Sequence, residues 1–319
     1  MNVSGFTIQG AGGRWPGDSQ QSRRREGETT VNVTATRFST QARTWVLIAG
    51  LSALLVAIGG RVFGGVGYLL FGGISVGMVF VSYWFSDRFA IRASHAQPIS
   101  EADDPRLYAI VADLAQRAKV PMPRVFLIPS EQPNAFATGR NPKHSAVAVT
   151  VGLRKYLPED QIRGVLAHEF AHIKNRDILV SSIAAMIASA ISAIANILQF
   201  GMIFGGGSDN RDNPLGGIAA LATIIIAPIA AMVLQLAVSR QREYLADATG
   251  AALIGDSKPL ADALETLERG VAAIPMPVTP ATATMYIANP LRHAGLAGLF
   301  QTHPPMDERV RRLRALRLA

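Results

Sequence analysis

Four long runs without a charged residue dominate the hydrophobic pattern of the 319-residue chain. Each run has at least 17 residues, and they cover positions 44–60, 62–86, 178–208 and 213–239. A helix needs roughly 20 apolar residues to cross a bilayer core, and the first run approaches that length if the Arg61 side chain reaches the interface. Buried helices of soluble proteins are usually shorter. The pattern predicts four transmembrane helices in two hairpins, at 44–86 and 178–239.

The segment between the hairpins, residues 87–177, has the shorter periods of a soluble domain. Apolar residues recur at helical spacing just after Asp104, and they are Leu107, Ile110, Val111 and Leu114. Short apolar runs predict three strands, at residues 125–128, 135–138 and 146–151. A second helix is predicted to begin around Pro158, because the two acidic residues that follow favour a helix N-terminus, and to end near 175–177.

The remaining segments follow from period and composition. Three more helices are predicted, at about residues 240–254, 258–270 and 305–317. The Pro-rich stretch 274–290 has no clear period, and residues 1–43, rich in Gly, Ser, Thr, Gln and Arg, predict a disordered cytoplasmic tail. The expected fold class is an α+β membrane protein, with a mainly helical domain and a small β-sheet. The second hairpin divides that domain into residues 87–177 and 240–319.

Charged residues fix the expected orientation of the chain. Arginines precede the first apolar run and follow the second, whereas the connection between the third and fourth runs carries only Asp209, Arg211 and Asp212. The positive-inside rule therefore places both termini and residues 87–177 in the cytoplasm. Anionic lipid accounts for the net charge of +8, so no nucleic-acid partner is expected. The absence of cysteine excludes disulfides and thiol catalysis.

The strongest chemical signal is the sequence His168-Glu169-Phe170-Ala171-His172. On a helix, residues four positions apart lie one turn apart on the same side, so both imidazoles can reach one ion. Two such nitrogen ligands suit tetrahedral zinc, and Glu169 stays free to handle the proton of a metal-bound water. A buried helix that merely carries these residues is the structural alternative.

A catalytic zinc site needs a third protein ligand and one position for water. The best-placed downstream carboxylate is Glu243, which has Asp247 four residues later on the same helical face. In this interpretation Glu243 binds the ion, and Asp247 accepts the outer N–H of a ligand histidine and fixes its tautomer. The alternative is a surface helix in which these acids pair with Arg240 and Arg242.

Four motifs in this order resemble the HtpX family of membrane zinc endopeptidases, gluzincins related to the CAAX prenyl proteases. They are Pro133-Asn134-Ala135-Phe136-Ala137-Thr138-Gly139, the His168–His172 sequence, Arg242-Glu243-Tyr244-Leu245-Ala246-Asp247 and Thr302-His303-Pro304-Pro305. The similarity extends from about residue 44 to 319. It implies a gluzincin-like metallopeptidase domain that holds one Zn²⁺ per chain.

The resemblance also implies roles for single residues. Zinc would be bound by His168, His172 and Glu243, with Glu169 as general base and His303 stabilising the charged transition state. On residues alone, His303 could instead cap the last helix. Asn134, Ala135, Phe136 and Ala137 resemble a substrate-facing strand that binds an extended peptide by adding it to the sheet edge. An ordinary edge strand remains the alternative.

The function implied is proteolysis of misfolded or damaged membrane proteins at the cytoplasmic face of the inner membrane. A processing protease of the CAAX prenyl-peptide type is a second interpretation, although those relatives carry more membrane spans. A catalytically silent scaffold that keeps zinc for structure is a third, and the presence of Glu169 argues against it. Nothing in the sequence sets the oligomeric state.

Overall fold

The computed structural model describes residues 83–179, 181–183, 185, 240–291 and 304–318, with scattered positions between 49 and 81. Its strands are β1 (Gln97–Pro98), β2 (Arg124–Ile128), β3 (Ala135–Gly139) and β4 (Ser145–Thr150). Its helices are α1 (Pro105–Ala118), α2 (Val151–Tyr156), α3 (Glu159–Asn175), α4 (Arg240–Ile254), α5 (Lys258–Ala273), α6 (Pro280–Ala283) and α7 (Met306–Ala315), with a 3₁₀ turn at Pro142–His144. Residues 83–93 are also helical.

The four strands form one mixed sheet in the order β1-β2-β4-β3. β2 and β4 are parallel, whereas β1 and β3 pair antiparallel with their neighbours, so that Ala137 of β3 lies opposite Val147 of β4. Val147 and Val149 belong to a core shared with the helices, whereas Ala146 and Ala148 belong to a second core on the other face. Because both faces are buried, the strands are apolar throughout, with no polar alternation.

α3 is the central helix of the larger core, where it packs against α1, α4, α5 and β3. Its first turn carries Glu159 and Asp160, which complement the helix dipole, and it ends at Arg176 in the left-handed conformation. α4 crosses α3 at a very short distance, because Gly250 has no side chain. A Cβ atom at Gly250 would lie 2.9 Å from the backbone nitrogen of His168. The sequence motif is thus placed where two helices touch.

The predicted helices and strands of the described segments are confirmed, with three differences. Val151 begins α2 and does not extend β4, because the Thr150 side chain accepts a hydrogen bond from the Leu153 backbone and caps a new helix. β1 and the 3₁₀ turn were not predicted, since two or three residues carry no period. The Pro-rich stretch 274–290 contains α6 and a run of buried residues at 282–288.

The predicted tail, 1–43, and most positions of the two predicted hairpins lie outside the described residues. Within the part that the structure describes, no helix combines the length and the apolar character needed to cross a membrane.

Candidate metal centre

Two imidazoles of α3 point into one small cavity. The Nε2 atoms of His168 and His172 lie 3.1 Å apart, and the two rings meet edge to face. One helical turn separates the residues, so helix geometry alone brings the nitrogens together.

Glu243 of α4 completes a group of three possible metal ligands. One of its carboxylate oxygens lies 3.7 Å from Nε2 of His168, and the other lies 3.5 Å from Nε2 of His172. Tetrahedral zinc with bonds near 2.0–2.1 Å keeps its ligand atoms about 3.3 Å apart. The three side chains therefore fit a zinc ion. The structure brings together the residues that the sequence predicted as ligands, and their binding of zinc stays a prediction.

His168 is enclosed by charged partners on the side away from the cavity. Its Nδ1 lies 2.9 Å from Asp247 Oδ1, which is the arrangement that fixes the tautomer with Nε2 free for a metal. A guanidinium nitrogen of Arg309 lies 3.3 Å from the same Nδ1. Burial and the positive charge of Arg309 outweigh the effect of Asp247 and lower the pKa of His168 to about 4.

Asp247 is held as a carboxylate by the same neighbours. Its burial by itself would raise its pKa, but the charge and hydrogen bonds of Arg309 lower it, helped by the hydrogen bond with His168. The resulting pKa is about 2. The side chain is therefore an acceptor at any pH at which the protein would work.

His172 has a different surrounding. Its side chain is 16% exposed, and Nδ1 lies 3.5 Å from Asp177 Oδ2, just past the C-terminus of α3. Burial favours the neutral ring, but the contact with Asp177 and the negative charge of Glu243 outweigh it and raise the pKa of His172 to about 9. Without a metal, this imidazole holds a proton at neutral pH.

Glu169 lies beside the three candidate ligands and is 3% exposed. Burial, followed by the nearby charge of Glu243, raises its pKa to about 8, although the charge of His172 acts in the opposite direction. The backbone N–H of Ala137 in β3 donates a hydrogen bond to the Glu169 carboxylate. A carboxyl group with a pKa near neutrality, oriented by the sheet edge, is suited to accept and return a proton.

The four residues of the predicted substrate strand have different surroundings. Asn134 is fully buried, and its amide bonds both the carbonyl and the N–H of Ala288, at 2.7 and 3.2 Å. The Ala135 carbonyl accepts a hydrogen bond from Ile287, and Phe136 packs inside the second core. Of the four, Ala137 alone lines the cavity.

The sheet edge at Asn134 and Ala135 is thus covered by residues 284–288, which we call the strap. Because the strap lies within the Pro-rich stretch 274–290, which has no period, its position could not be predicted from the sequence. Its residues Thr284, Met285 and Ile287 line the cavity, as does Ile178. The polar atoms of Asn134 are thus bonded to Ala288, and its predicted contact with substrate stays a prediction.

Two residues of the centre were missed by the sequence analysis, and one predicted residue lies outside the described part. Arg309 could have been noticed in the sequence, because it shares one face of α7 with the buried residues Met306, Val310 and Leu313. An arginine in an apolar stripe requires a buried counter-charge. Asp177 lies beyond the end of α3 and belongs to no periodic segment, so the sequence did not indicate its contact with His172. His303, the predicted transition-state residue, is not among the described residues.

Comparisons with known proteins place this geometry in context. Residues 101–317 match the model of Peptidase family M48. The chain is 53% identical over 275 residues to a "Protease HtpX homolog" of Pelotomaculum thermopropionicum, which covers 86% of this chain and 98% of that protein. It is 52% identical over 277 residues to a "Protease HtpX homolog" of Syntrophobacter fumaroxidans, with the same two shares. The crystal structure of S. mikatae Ste24p aligns with a TM-score of 0.48 at 21% identity, over 89% of this chain and 67% of that one.

Proposed function

Because the chain belongs to peptidase family M48 and is a metalloprotease, we propose that it is a zinc endopeptidase of membranes. In this proposal it hydrolyses misfolded or damaged membrane proteins at the cytoplasmic face. The observation that carries the proposal is the convergence of His168, His172 and Glu243 on one point, with Glu169 beside them. This group combines three metal ligands with one titratable carboxyl group that is not needed as a ligand.

Zinc would be held by His168, His172 and Glu243. When bound, it supplies a Lewis acid that polarises the scissile carbonyl and acidifies a water molecule. Asp247 keeps the proton of His168 on Nδ1, so that Nε2 presents its lone pair to the cavity.

Glu169 performs the proton transfers. The charge of a bound zinc ion would lower its pKa from about 8, and the ionised carboxylate then takes a proton from the attacking water and delivers it to the nitrogen of the leaving amine. The Ala137 N–H faces this carboxylate and favours its ionised form. The same strand edge offers the substrate a pairing surface from Ala137 onward, because the strap covers the edge at Ala135.

The membrane assignment is supported by the uncharged runs and by side chains near residue 84. Trp84 and Phe85 are each 43% exposed, and Arg88 follows them one turn later. Aromatic and basic residues of this kind are typical of a membrane interface. Arg140, in the turn after β3, stacks over the Trp84 ring at 4.7 Å. The sheet edge beside the centre would therefore lie close to the lipid surface, where membrane substrates emerge.

The test uses the full chain purified in detergent, with zinc content and casein cleavage measured in parallel. We expect Glu169→Gln to keep one zinc per chain and to lose about 10²–10⁴-fold in turnover, as for removal of a general base. Glu243→Ala should lose both the zinc and the activity. Glu131→Gln, the same change at an exposed carboxylate bonded to Lys155, is the matched control and should behave as wild type.

Two outcomes would contradict the proposal. One is a wild-type rate in Glu169→Gln, and the other is a full equivalent of zinc retained by Glu243→Ala. A wild-type chain that binds no zinc would reject the metal assignment as a whole.

A further inference from the structure

The largest fully buried side chain described in the structure belongs to Arg309 of α7. Its guanidinium makes a two-pronged ion pair with Asp247, with Nε 2.9 Å from Oδ2 and Nη2 2.6 Å from Oδ1. A third nitrogen, Nη1, donates to the carbonyl of Ile287 in the strap at 3.4 Å. One cation thus joins the C-terminal helix, the helix of Glu243 and the wall of the cavity.

Asp247 Oδ1 is shared between two donors. It faces Nδ1 of His168 at 2.9 Å and Nη2 of Arg309 at 2.6 Å. A planar guanidinium that binds both oxygens of a carboxylate fixes its plane as well as its position. The orientation of the His168 ring therefore depends on Arg309, whose Nη2 also lies 3.4 Å from Nε2 of His168 and whose Nη1 lies 4.0 Å from Oε2 of Glu243.

Fastening α7 to the domain does not by itself require an arginine. Met306, Val310 and Leu313 already bury the apolar face of this helix in the main core. Removing a guanidinium from water is costly, and an apolar residue of similar size usually serves packing as well or better. The buried charge is explained by what it does to Asp247.

We propose that Arg309 is a positioning residue of the metal centre, which sets the His168 ring through Asp247 and makes metal binding depend on the docking of α7. The proposal rests on the function proposed above, since it assumes that the centre binds zinc. It adds a residue that cannot itself be a metal ligand, because a guanidinium has only N–H donors.

The experiment measures metal binding directly on the full-length chain in detergent, after removal of metal with a chelator. Zinc affinity is obtained by competition with a chromophoric chelator, and the visible spectrum of added Co²⁺ reports the ligand geometry. We expect Arg309→Met to weaken zinc binding by about 10–100-fold, as for other residues that orient a metal ligand, and to change the Co²⁺ spectrum. Arg309→Lys keeps the positive charge but cannot bind both oxygens of Asp247 as the guanidinium does, and it should give a smaller loss of zinc affinity.

Two matched variants separate positioning from general stability. Leu313→Ala lies on the same helix face and should lower the melting temperature with zinc affinity and Co²⁺ spectrum unchanged when measured well below it. Arg311→Met removes an exposed arginine of the same helix, which pairs with Glu308, and should change neither. In an Asp247→Asn background, Arg309→Met should cause little further loss of zinc affinity, because the path to His168 is already broken.

The proposal is overturned if Arg309→Met keeps the wild-type affinity and Co²⁺ spectrum, or if Leu313→Ala loses as much zinc affinity at an equal drop in melting temperature. If Arg309→Met does not fold, Arg309→Lys and the double variant with Asp247→Asn, which removes both buried charges, decide the question. Failure of the wild type to bind zinc would instead reject the proposed function.

Discussion

The two histidines of α3 are chemically identical and one turn apart, yet the protein surrounds them differently. His168 is 1% exposed, faces Asp247 and Arg309, and has a pKa lowered to about 4 by burial and by the arginine. His172 is 16% exposed, faces Asp177, and has a pKa raised to about 9 by carboxylates that outweigh its burial. One ring is neutral before any metal arrives, whereas the other holds a proton that a metal must displace.

This difference teaches that a pair of ligands can divide two tasks. The His168 side is fixed by a paired carboxylate and guanidinium, so it would give the proposed metal a rigid ligand that is already neutral. The His172 side is rich in negative charge, so it attracts a cation but binds a proton in its absence. Selective changes on either side should therefore weaken metal binding in different ways.

The largest effect is expected from Asp247→Asn. It replaces the charged acceptor that orients His168 with a neutral amide and leaves the buried charge of Arg309 without its partner, which costs about 3–5 kcal/mol of folding stability. Zinc affinity at pH 7 should fall by about 10–100-fold. Asp177→Asn is the matched change on the other side. It should alter the affinity at pH 7 by less than about threefold, because poorer orientation of His172 is offset by easier loss of its proton.

Zinc affinities of both variants, measured by chelator competition, test whether the two histidines are held differently. Equal losses in Asp247→Asn and Asp177→Asn would mean that the two histidines are held equivalently, and the contrast drawn above would be wrong.

A smaller effect is expected from Gly250→Ala, which acts on the His168 side through the backbone. The added Cβ would lie 2.9 Å from the His168 nitrogen and 3.0 Å from the Ala167 carbonyl carbon, so α4 must move away from α3. Overpacking costs about 1–3 kcal/mol, and the better helix propensity of alanine returns about 1 kcal/mol. The net loss of stability should therefore be about 0–2 kcal/mol. Zinc affinity should drop by about tenfold, because Glu243 moves away from the histidines.

Thr249→Ala, at the neighbouring half-buried position of α4, is the control and should leave the affinity unchanged. Isothermal calorimetry with Zn²⁺ and thermal unfolding of the same samples test both statements. A Gly250→Ala protein with wild-type affinity would show that the close helix crossing does not set the ligand distances.

The contrast between the two histidines marks the limit of what the sequence could predict. The pairing of His168 with His172 follows from helix period alone, and Glu243 was proposed as a ligand because a catalytic zinc with two histidines needs a third protein ligand. Asp247 was predicted from its spacing to Glu243 on one helical face. These inferences use residues close together on one helix, or they use the number of ligands that zinc requires.

The unpredicted parts are set by contacts between distant segments. Arg309 reaches Asp247 across 62 positions, and the Asn134 amide bonds Ala288 across 154. No period or spacing encodes such a contact, although an arginine in an apolar helix stripe could have been noticed. The fold was predicted better than the site, because helix and strand periods are repeated many times whereas each contact of the centre occurs once.

The smallest expected effect is a shift in the pH at which zinc affinity levels off. This shift depends on His172 and its surroundings. Since the pKa of His172 is raised to about 9, zinc must displace a proton below that pH, and its affinity should rise about tenfold per pH unit until it levels off near pH 9. His168, with a pKa of about 4, adds nothing to this slope above pH 5. Asp177→Asn removes a contact that stabilises the protonated ring, so the affinity should level off at a lower pH.

Glu169 titrates in the same range, with a pKa raised to about 8 by burial, so the measurement belongs in a Glu169→Gln background. Chelator competition between pH 6 and 9.5, with and without Asp177→Asn, then follows a single proton. An unchanged levelling point would mean that Asp177 does not hold the proton on His172. The raised pKa of His172 would then have to come from the negative charge of Glu243. That carboxylate would attract both the proton of His172 and the metal ion that replaces it.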